Sequence, residues 1–296
     1  MPNLIRLFLL MTATFSAATA FGYCDASRTI RESFAAGDYT SVELNALAGG
    51  LEVRGRSGSD VIEFEGHACT DEDRYLDRLT LDIDRQDGVL KLTVIIPYNA
   101  PDFHADYASM DVILSLPPDL PVSVRDSSGD LSIENAATTL IDDSSGDIRV
   151  RNARADLTIL DSSGDINVRN NLGAIEIEDS SGDIYLRDAA GKVTIHRDSS
   201  GSIEITGTGA DVAVENDGSG EIEIDETRGN VTIGNAGSGD ITIRDAGGDV
   251  VVESHGSGHL RVENVNGALT VEHKGSGGIR TSGIGGQIRL PEYSER

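Results

Sequence analysis

Aliphatic residues separated by a single polar residue recur through the second half of the chain, and a serine-glycine pair stands before each group. The glycines of these pairs, 17 to 19 residues apart, are Gly129, Gly146, Gly164, Gly182, Gly201, Gly220, Gly239, Gly258 and Gly277. Alternation with a period of two places the aliphatic side chains on one face of a β-strand. The fixed short period indicates a repeat architecture in which each copy buries its apolar face by stacking on the next.

Each repeat contains two of these strands. The first strand carries, two and four residues after the glycine, Leu131 and Ile133, Ile148 and Val150, Ile166 and Val168, Ile184 and Leu186, Ile203 and Ile205, Ile222 and Ile224, Ile241 and Ile243, and Leu260 and Val262. The second strand carries Leu157 and Ile159, Ile175 and Ile177, Val193 and Ile195, Val212 and Val214, Val231 and Ile233, Val250 and Val252, Leu269 and Val271, and Ile288 and Leu290. We therefore expect about four inward aliphatic side chains in each coil.

A second turn joins the two strands of each coil. It is marked by residues that tolerate turn geometry, namely Asn135, Asn152, Asn170, Asp188, Asp245 and Asn264. The sequence thus predicts an all-β fold, a parallel β-solenoid of β-helix type that is flattened into two sheets, with two short strands in each coil. Nine coils at the interstrand spacing of about 4.8 Å form a rod about 43 Å long.

The recurring serine and glycine have a structural explanation. Glycine accepts a positive φ and close contact between coils, and serine places a short hydroxyl group where one turn stacks on the next. A catalytic role for these serines is disfavoured, because nine equivalent nucleophiles have no chemical use and no G-x-S-x-G motif occurs. We therefore expect a ladder of hydroxyl groups that bonds the backbone of the turns.

Residues 21–120 follow a different plan, with longer alternating apolar runs. These runs predict strands of ordinary length, partly antiparallel. They would form an N-terminal β cap over one end of the solenoid, where unpaired backbone otherwise invites edge-to-edge association. The repeats are expected at residues 121–290, joined to the cap through Val122 and Val124 without a flexible linker. The polar tail, residues 291–296, is expected to stop further pairing.

The first twenty residues have the form of a secretory signal peptide. Arg6 precedes an apolar run from Leu7 to Met11, and small residues lead to a cleavage site after Ala20. The apolar run is too short to span a bilayer, and no other run approaches the length of a transmembrane helix. We therefore expect export, either to the periplasm or to the cell surface and the extracellular medium.

The chain contains two cysteines, Cys24 and Cys69. In an oxidising compartment an even pair favours one disulfide, which would attach the N-terminal segment to the body of the protein. The loop that it closes corresponds to about 4 kcal/mol of stabilisation in the chain-entropy model. A redox role is disfavoured because the sequence has no C-x-x-C motif.

The formal net charge of the chain is −26. Nucleic acid and anionic lipid are therefore poor partners. The chain has no tryptophan and 4% aromatic residues, which disfavours sugar recognition by ring stacking. The charge is consistent with solubility, with cation condensation or with docking to a basic partner.

In the first seven of the nine serine-glycine turns, an acidic residue stands three residues before the glycine, one residue after it, or at both positions. The candidate ligands of a calcium ion are Asp126, Asp130, Asp143, Asp147, Asp161, Asp165, Asp179 and Asp183. Stacked carboxylates about 5 Å apart repel one another, so these columns are either solvated turns or a cation-binding edge. Calcium prefers such oxygen ligands, but the repeat departs from the G-G-x-G-x-D pattern of calcium-loaded β-rolls. Its aliphatic core is also large enough to fold without metal, so calcium would be an accessory, and no other cofactor is expected.

Two smaller clusters also have candidate roles. The transition-metal candidates are His255, His259 and His273, which come close together in the last coils. The outward arginines Arg151, Arg169 and Arg187 form either an anion-binding stripe or solvated ion pairs with Asp147, Asp165 and Asp183. The sequence favours the ion pairs, and it favours histidines without a shared metal.

Three features are shared with a known family. They are the coil motifs DSSGDI and GSGDIT, the segment GGLEVRGRSGSDVIEFEG at residues 49–66, and the segment MDVILSLPPDLPVSVRDSSGDLSIEN at residues 110–135. With these features the chain resembles domain of unknown function 4097, the putative-adhesin family of bacterial β-solenoids. The resemblance covers most of the chain after the signal peptide and includes no catalytic residues. It implies a β-solenoid in the cell envelope.

These observations predict a non-enzymatic envelope protein whose acidic, repetitive solenoid serves as an adhesin-like interaction scaffold. Its partner would be a protein or another envelope component, and self-association through the solenoid ends is a further expectation. The first alternative is a calcium-responsive binding module that uses the aspartate turns. A polysaccharide-active β-helix enzyme is less favoured, because the coils are short and lack long catalytic loops.

Overall fold

The computed structural model describes residues 24–291. The predicted signal peptide, residues 1–20, and residues 292–296 of the predicted tail lie outside the described residues. Two sheets of 13 strands each face one another across a continuous apolar core. The predicted β-solenoid of about nine turns is confirmed, together with an antiparallel N-terminal part.

The N-terminal part contains longer strands than the rod. Its elements are β1 (Ala26–Ala35), β2 (Ser41–Asn45), β3 (Leu51–Gly55), β4 (Val61–Thr70), the one-turn helix α1 (Asp73–Leu76), β5 (Thr80–Gln86), β6 (Val89–Ile95) and β7 (Ala108–Leu116). A 3-10 turn at Ala36–Asp38 follows β1. The antiparallel pairs are β1 with β4, β4 with β7, and β5 with β6.

Successive strands of the rod alternate between the two sheets. Sheet A contains β9 (Leu131–Glu134), β11 (Ile148–Arg151), β13 (Ile166–Arg169), β15 (Ile184–Arg187), β17 (Ile203–Thr208), β19 (Ile222–Thr227), β21 (Ile241–Ala246), β23 (Leu260–Val265) and β25 (Ile279–Ile284). Sheet B contains β8 (Val122–Arg125), β10 (Thr138–Asp143), β12 (Leu157–Asp161), β14 (Ile175–Glu178), β16 (Val193–Arg197), β18 (Val212–Ser219), β20 (Val231–Ser238), β22 (Val250–Ser257), β24 (Leu269–Ser276) and β26 (Ile288–Arg289). Neighbouring strands within each sheet of the rod pair in parallel, and each coil contributes one strand to each sheet.

The order of the strands in space differs from their order in the chain at the N-terminal end. β2 pairs in parallel with β6 on one side and with β8 on the other. β3 likewise lies between β7 and β9. The coil formed by β2 and β3 is therefore inserted between the β6–β7 coil and the first serine-glycine repeat, so the parallel stack begins before residue 121.

The inward positions of the rod are buried as the alternation predicts. Ile148 and Ile159, which lie in facing sheets, are fully buried. The parallel register pairs Ile148 with Ile166 and Ile159 with Ile177, so like residues stack from coil to coil. This stacking removes apolar surface from water along the whole rod, which is the main favourable contribution to folding.

Two parts of the rod depart from the prediction. The alternation does not predict β10, because a register shift between Thr138 and Leu140 interrupts the pattern. Ile288 and Leu290 are predicted to point inward but are 48% and 44% exposed, which corrects their assignment. The reason is that they belong to the last coil of the described chain, which no further coil covers.

The N-terminal part closes the other end of the rod. Cys24 and Cys69 form the predicted disulfide, with their Cα atoms 5.6 Å apart. The disulfide ties the start of β1 to β4, its partner along its full length. Tyr75 in α1 is 4% exposed, and its ring centre lies 4.8 Å from that of Phe103. These aromatic side chains cover the apolar core beneath the outermost strands.

The glycine of each serine-glycine turn has a backbone conformation that other residues disfavour. Gly146 has a φ of 126°, and a Cβ atom added to it would lie 2.0 Å from the carbonyl oxygen of Gly129 in the preceding coil. Both restrictions require glycine. Gly49 has a φ of 130° and stands in the same relation to Gly129. The glycine column therefore extends one coil beyond the predicted repeats.

Candidate functional site

The acidic residues of the serine-glycine turns form two columns with different surroundings. The inner column, three residues before the glycine, consists of Asp126, Asp143, Asp161, Asp179, Asp198 and Asp217. The outer column, one residue after the glycine, consists of Asp130, Asp147, Asp165, Asp183, Glu221 and Asp240. The inner column is buried within the turn, whereas the outer column is at least partly exposed to solvent.

The inner column places carboxyl groups where water is excluded. Asp161 is 7% exposed and Asp198 is 1% exposed. Asp161 Oδ1 accepts the backbone N–H groups of Ser162 at 2.7 Å and Ser163 at 3.3 Å. In each of the six residues the second carboxylate oxygen is buried and has no hydrogen-bond partner. Asp198 and Asp217 occupy paired positions of neighbouring parallel strands, so the column has the interstrand spacing of about 4.8 Å.

Burial raises the pKa of the inner carboxyl groups, because the charged form loses its hydration. The pKa is about 7 at Asp126, Asp161 and Asp198 and about 6 at Asp217, and it is also raised at Asp143 and Asp179. Repulsion by neighbouring carboxylates of the column raises the pKa of Asp161 and Asp198 further. The inner column is therefore not a set of solvated turns, which corrects that part of the sequence-based interpretation.

In the outer column the five aspartates each accept a backbone N–H group of the next coil. Asp130 Oδ1 accepts the N–H of Asp147 at 3.3 Å, and Asp147 Oδ1 accepts the N–H of Asp165 at 3.2 Å. The guanidinium of Arg149 lies 3.2 Å from Asp130 Oδ2 and 2.7 Å from Asp147 Oδ2. The outer aspartates thus have backbone bonds to the next coil and ion pairs with Arg149, whereas the inner aspartates of the described chain bond only backbone N–H groups of their own turn.

The predicted calcium ligands are divided between the two columns. Asp126, Asp143, Asp161 and Asp179 belong to the inner column, and Asp130, Asp147, Asp165 and Asp183 belong to the outer column. Among residues 24–291 no group of three or more His, Cys, Asp or Glu side chains has an arrangement that could hold a metal ion. Calcium prefers six to eight oxygen ligands, whereas one column offers neighbouring carboxylates in a row. Calcium binding stays a prediction.

The three C-terminal histidines lie in three different columns. His255 continues the inner column, is 1% exposed and bonds backbone carbonyl groups through Nε2, and burial lowers its pKa. His259 continues the outer column, where its Nδ1 accepts the N–H of Gly278 at 3.2 Å. His273 pairs in register with Ser254 on sheet B. Their separate positions disfavour one shared metal site.

The outward arginine column lacks the ion pairs that the sequence favours. Within the described chain, Arg151, Arg169 and Arg187 form no ion pair with Asp147, Asp165 or Asp183. Arg187 instead lies 3.6 Å from Glu204, and Arg169 donates to the side chain of Asn167 at 3.1 Å. The ion-pair prediction is therefore wrong, and the three arginines lie in register on the outer face of sheet A.

The predicted ladder of serine hydroxyl groups is confirmed in the first four serine-glycine turns, at Ser128, Ser145, Ser163 and Ser181. Ser145 Oγ donates to the backbone carbonyl of Ser127 at 3.1 Å, and Ser163 Oγ donates to that of Ser144 at 3.2 Å. Each bond joins the turn of one coil to the turn of the preceding coil. This use of the hydroxyl groups supports the structural role that the sequence predicts for the serines.

A shallow groove that the sequence analysis missed follows the second turn of the C-terminal coils. Its volume is about 1050 Å³. One wall is formed by turn residues with positive φ, among them Asp188, Glu226 and Asp245. The groove exists because small residues follow them, including Gly209 and Gly247. The recurrence of small residues at this position is the signal that could have identified it.

Several solved structures are similar to the chain at low identity. A putative cell adhesion protein from Clostridium sporogenes is 10% identical, with a TM-score of 0.32, over 87% of this chain and 99% of that chain. A putative lipid binding protein from Parabacteroides distasonis is 13% identical, with a TM-score of 0.37, over 88% and 96%. A putative adhesin from Bacteroides fragilis is 12% identical, with a TM-score of 0.29, over 88% and 96%. These values carry no conclusion about function.

A family model matches the rod from the last residues of β7 to the end of β25. No curated protein matches the chain. Residues 115–285, more than half of the chain, match the model described as putative auto-transporter adhesin, head GIN domain, which is domain of unknown function 2807. The resemblance to a putative-adhesin family is thus confirmed, whereas the family number 4097 is not. The chain belongs to the family of the putative auto-transporter adhesin head GIN domain.

Proposed function

We propose that the protein is an exported, non-enzymatic scaffold of the bacterial cell envelope, and that the outer faces of its acidic solenoid form an adhesin-like interaction surface. The observation that carries this proposal is the pair of uninterrupted 13-stranded sheets in a chain of an adhesin family. In the described part of the chain, no helix is long and apolar enough to cross a membrane.

The two faces differ in the charges that they offer to a partner. Sheet A carries Arg151, Arg169 and Arg187 in register on three neighbouring strands. Sheet B carries exposed carboxylates at Glu253 and Glu272 on neighbouring strands of the C-terminal coils. A face with charged groups that are incompletely paired within the protein has free donors for a partner, so sheet A is the first candidate contact face.

Bead attachment tests the proposal directly. Beads coated with the purified protein are mixed with bacterial cells and with isolated envelope fragments, and attached beads are counted by microscopy. We expect more attachment than with albumin-coated beads, and a loss of attachment in the double variant Arg151→Glu, Arg169→Glu. The matched control, Glu253→Lys with Glu272→Lys, reverses two charges on sheet B. Attachment equal to that of albumin beads would contradict the proposal.

Self-association through the ends is part of the proposal. The open end of the rod, formed by β25 and β26, exposes Ile288 and leaves Ile279 and Ile284 only partly buried. Residues 273–291 contain three basic and no acidic residues, whereas residues 71–87 at the opposite end contain seven acidic and three basic residues. The apolar surface and the opposite charges favour head-to-tail contact between copies.

Sedimentation velocity at several protein concentrations tests the end contact. We expect a concentration-dependent larger species that is lost in Ile288→Lys. The control is Leu172→Lys, which changes an equally apolar residue, 63% exposed, on the side of the rod. A single monomeric species at every concentration and salt level would remove the end contact from the proposal, while bead attachment would remain an independent measurement.

The calcium-responsive alternative has its own test. Thermal unfolding is followed first with EDTA and then with millimolar calcium. A large rise of the melting temperature with calcium would make the aspartates of the outer or inner column ligands and would favour this alternative. An unchanged melting temperature would favour an apolar solenoid that folds without metal.

The enzymatic alternative is tested by incubation with a panel of acidic and neutral polysaccharides. We expect no new reducing ends and no unsaturated products. Cleavage of any member of the panel by the purified protein would replace the scaffold proposal by a polysaccharide-active enzyme.

A further inference from the structure

The inner column is an unusual arrangement of buried acids. Six carboxyl groups, each at least nine-tenths buried, stand one above another along the turn edge of the rod. Each bonds backbone N–H groups through one oxygen, and each keeps a second, buried oxygen without a partner. An unpaired buried carboxylate loses its hydration without compensation, which costs free energy. The column therefore requires something to neutralise it.

Basic side chains do not provide that neutralisation. Within residues 24–291, no Lys, Arg or His side chain is hydrogen-bonded to or ion-paired with an inner carboxylate. Three other charged residues, Asp142, Glu178 and Arg197, border the same shallow depression as Asp143, Asp161 and Asp179. Two of those three neighbours are acidic, so their net effect repels a further negative charge. Asp165 of the outer column also repels Asp179.

The C-terminal end of the column is different. Ala236 follows Asp217 in register, then His255 and Lys274. His255 faces Lys274 and Asp240 and is held by backbone carbonyl groups, so it contributes no counter-charge to the six aspartates. The alanine separates the acidic part from the basic part by one coil. The six carboxyl groups thus form an isolated row.

We propose that the inner column is a proton-binding site, which takes up protons as the pH falls and thereby strengthens the solenoid. The proton is the ligand that fits, because each unpaired oxygen is buried and adjacent carboxylates repel across one interstrand spacing. Protonation removes both costs without any change in the fold. This proposal is independent of the adhesive function.

The direction of the pH effect follows from the pKa values. In the unfolded chain an aspartate has a pKa of about 3.9, whereas the folded values reach about 7 at Asp126, Asp161 and Asp198. The folded protein therefore binds more protons than the unfolded protein between these limits. The contribution of the column to stability is smallest above pH 7 and increases as the pH falls towards 4. His255, whose pKa is lowered by burial, opposes this increase as one residue against six.

The test is thermal unfolding of the purified protein from pH 8 to pH 5.5. We expect the melting temperature of the wild type to rise on the order of 5–10 °C across this range. The double variant Asp161→Asn, Asp198→Asn should show a clearly smaller rise, because asparagine keeps the acceptor for the serine N–H groups and cannot titrate. A flat or falling melting temperature in the wild type would overturn the proposal.

A matched control separates this effect from the general loss of negative charge on acidification. The double variant Asp130→Asn, Asp147→Asn removes the same charge from the outer column, where the side chains are 67% and 37% exposed. It should keep the full wild-type rise. If the rise of the melting temperature were reduced equally in both double variants, the net charge alone would explain the effect, and the proposal would be overturned.

A measurement without mutations keeps the proposal testable if the inner variants do not fold. Carbon-13 NMR of protein labelled at the aspartate carboxyl carbons follows each group through its titration. We expect a subset of carboxyl carbons to titrate between pH 6 and pH 8. Titration of all aspartates below pH 5 would overturn the proposal.

Discussion

The two ends of the rod differ in how they finish the sheets. At the N-terminal end the antiparallel strands β1 and β5 lie outermost, α1 and Phe103 cover the core, and a disulfide holds the terminus. At the C-terminal end of the described chain the last parallel strands are β25 and β26, and Ile288 is 48% exposed. The difference shows that a repeat sequence supplies its own interior but not its own termination.

A substitution that disturbs the contact between two coils in the middle of the rod should have the largest effect on the free energy of unfolding. In Gly146→Ala the added Cβ atom meets the Gly129 carbonyl oxygen at 2.0 Å and the residue keeps a φ of 126°. We expect a loss on the order of 5 kcal/mol in the free energy of unfolding, measured by denaturant titration. The control at the open end is Gly278→Ala, where the nearest atom lies 3.7 Å away. Equal effects of the two substitutions would contradict the explanation.

Removing the disulfide should destabilise the N-terminal end of the rod and leave the C-terminal end unchanged. The double variant Cys24→Ser, Cys69→Ser releases a loop with a sequence separation of 45. We expect a loss of about 4 kcal/mol in the free energy of unfolding, because the unfolded chain gains freedom. Hydrogen exchange should rise in β1 and β4 and stay constant in β24 and β25. Faster exchange at the C-terminal end instead would show that the ends are coupled.

Truncating one aliphatic side chain in the middle and one at the open end should give the smallest of these effects. Ile224 is fully buried between neighbouring coils, whereas Ile279 is only partly buried. Ile224→Ala should cost about 3 kcal/mol and Ile279→Ala about 1 kcal/mol, because the second site leaves little cavity. The melting temperatures of both variants are compared with the wild type. A larger loss for Ile279→Ala would indicate that the open end is covered in solution.

The regular part of the fold could be predicted from residue patterns alone. The alternation at Ile148 and Val150, together with Gly146, defines strand, face and turn, because each depends on neighbours within one coil. The insertion of the β2–β3 coil before β8 could not be predicted, because no local pattern reports which distant strands pair. The bulge at Thr138 hid β10 for a related reason, since it breaks the period of two.

The sequence identifies which aspartates lie in the turns, but it does not predict which of them are buried. The sequence identifies the aspartates at Asp126 and Asp130 in the same turn, and both are charged residues that normally lie at the surface. Their separation into a buried and an exposed column depends on how the serine-serine-glycine turn directs each Cβ atom. That direction depends on the backbone angles of the whole turn, which includes the positive φ of Gly129 and which residue types alone do not fix.

The inserted β2–β3 coil has a consequence for the time course of synthesis. Ribosomes release a chain from its N-terminus, so residues 41–55 emerge early. Their partners β8 and β9 end at Glu134, about 80 residues later, which takes roughly 4–16 s at ordinary elongation rates. Until then β2 lacks its partner β8, and β3 lacks its partner β9. The coil that comes first in the chain is therefore completed late, and chaperones have a defined interval in which to protect it.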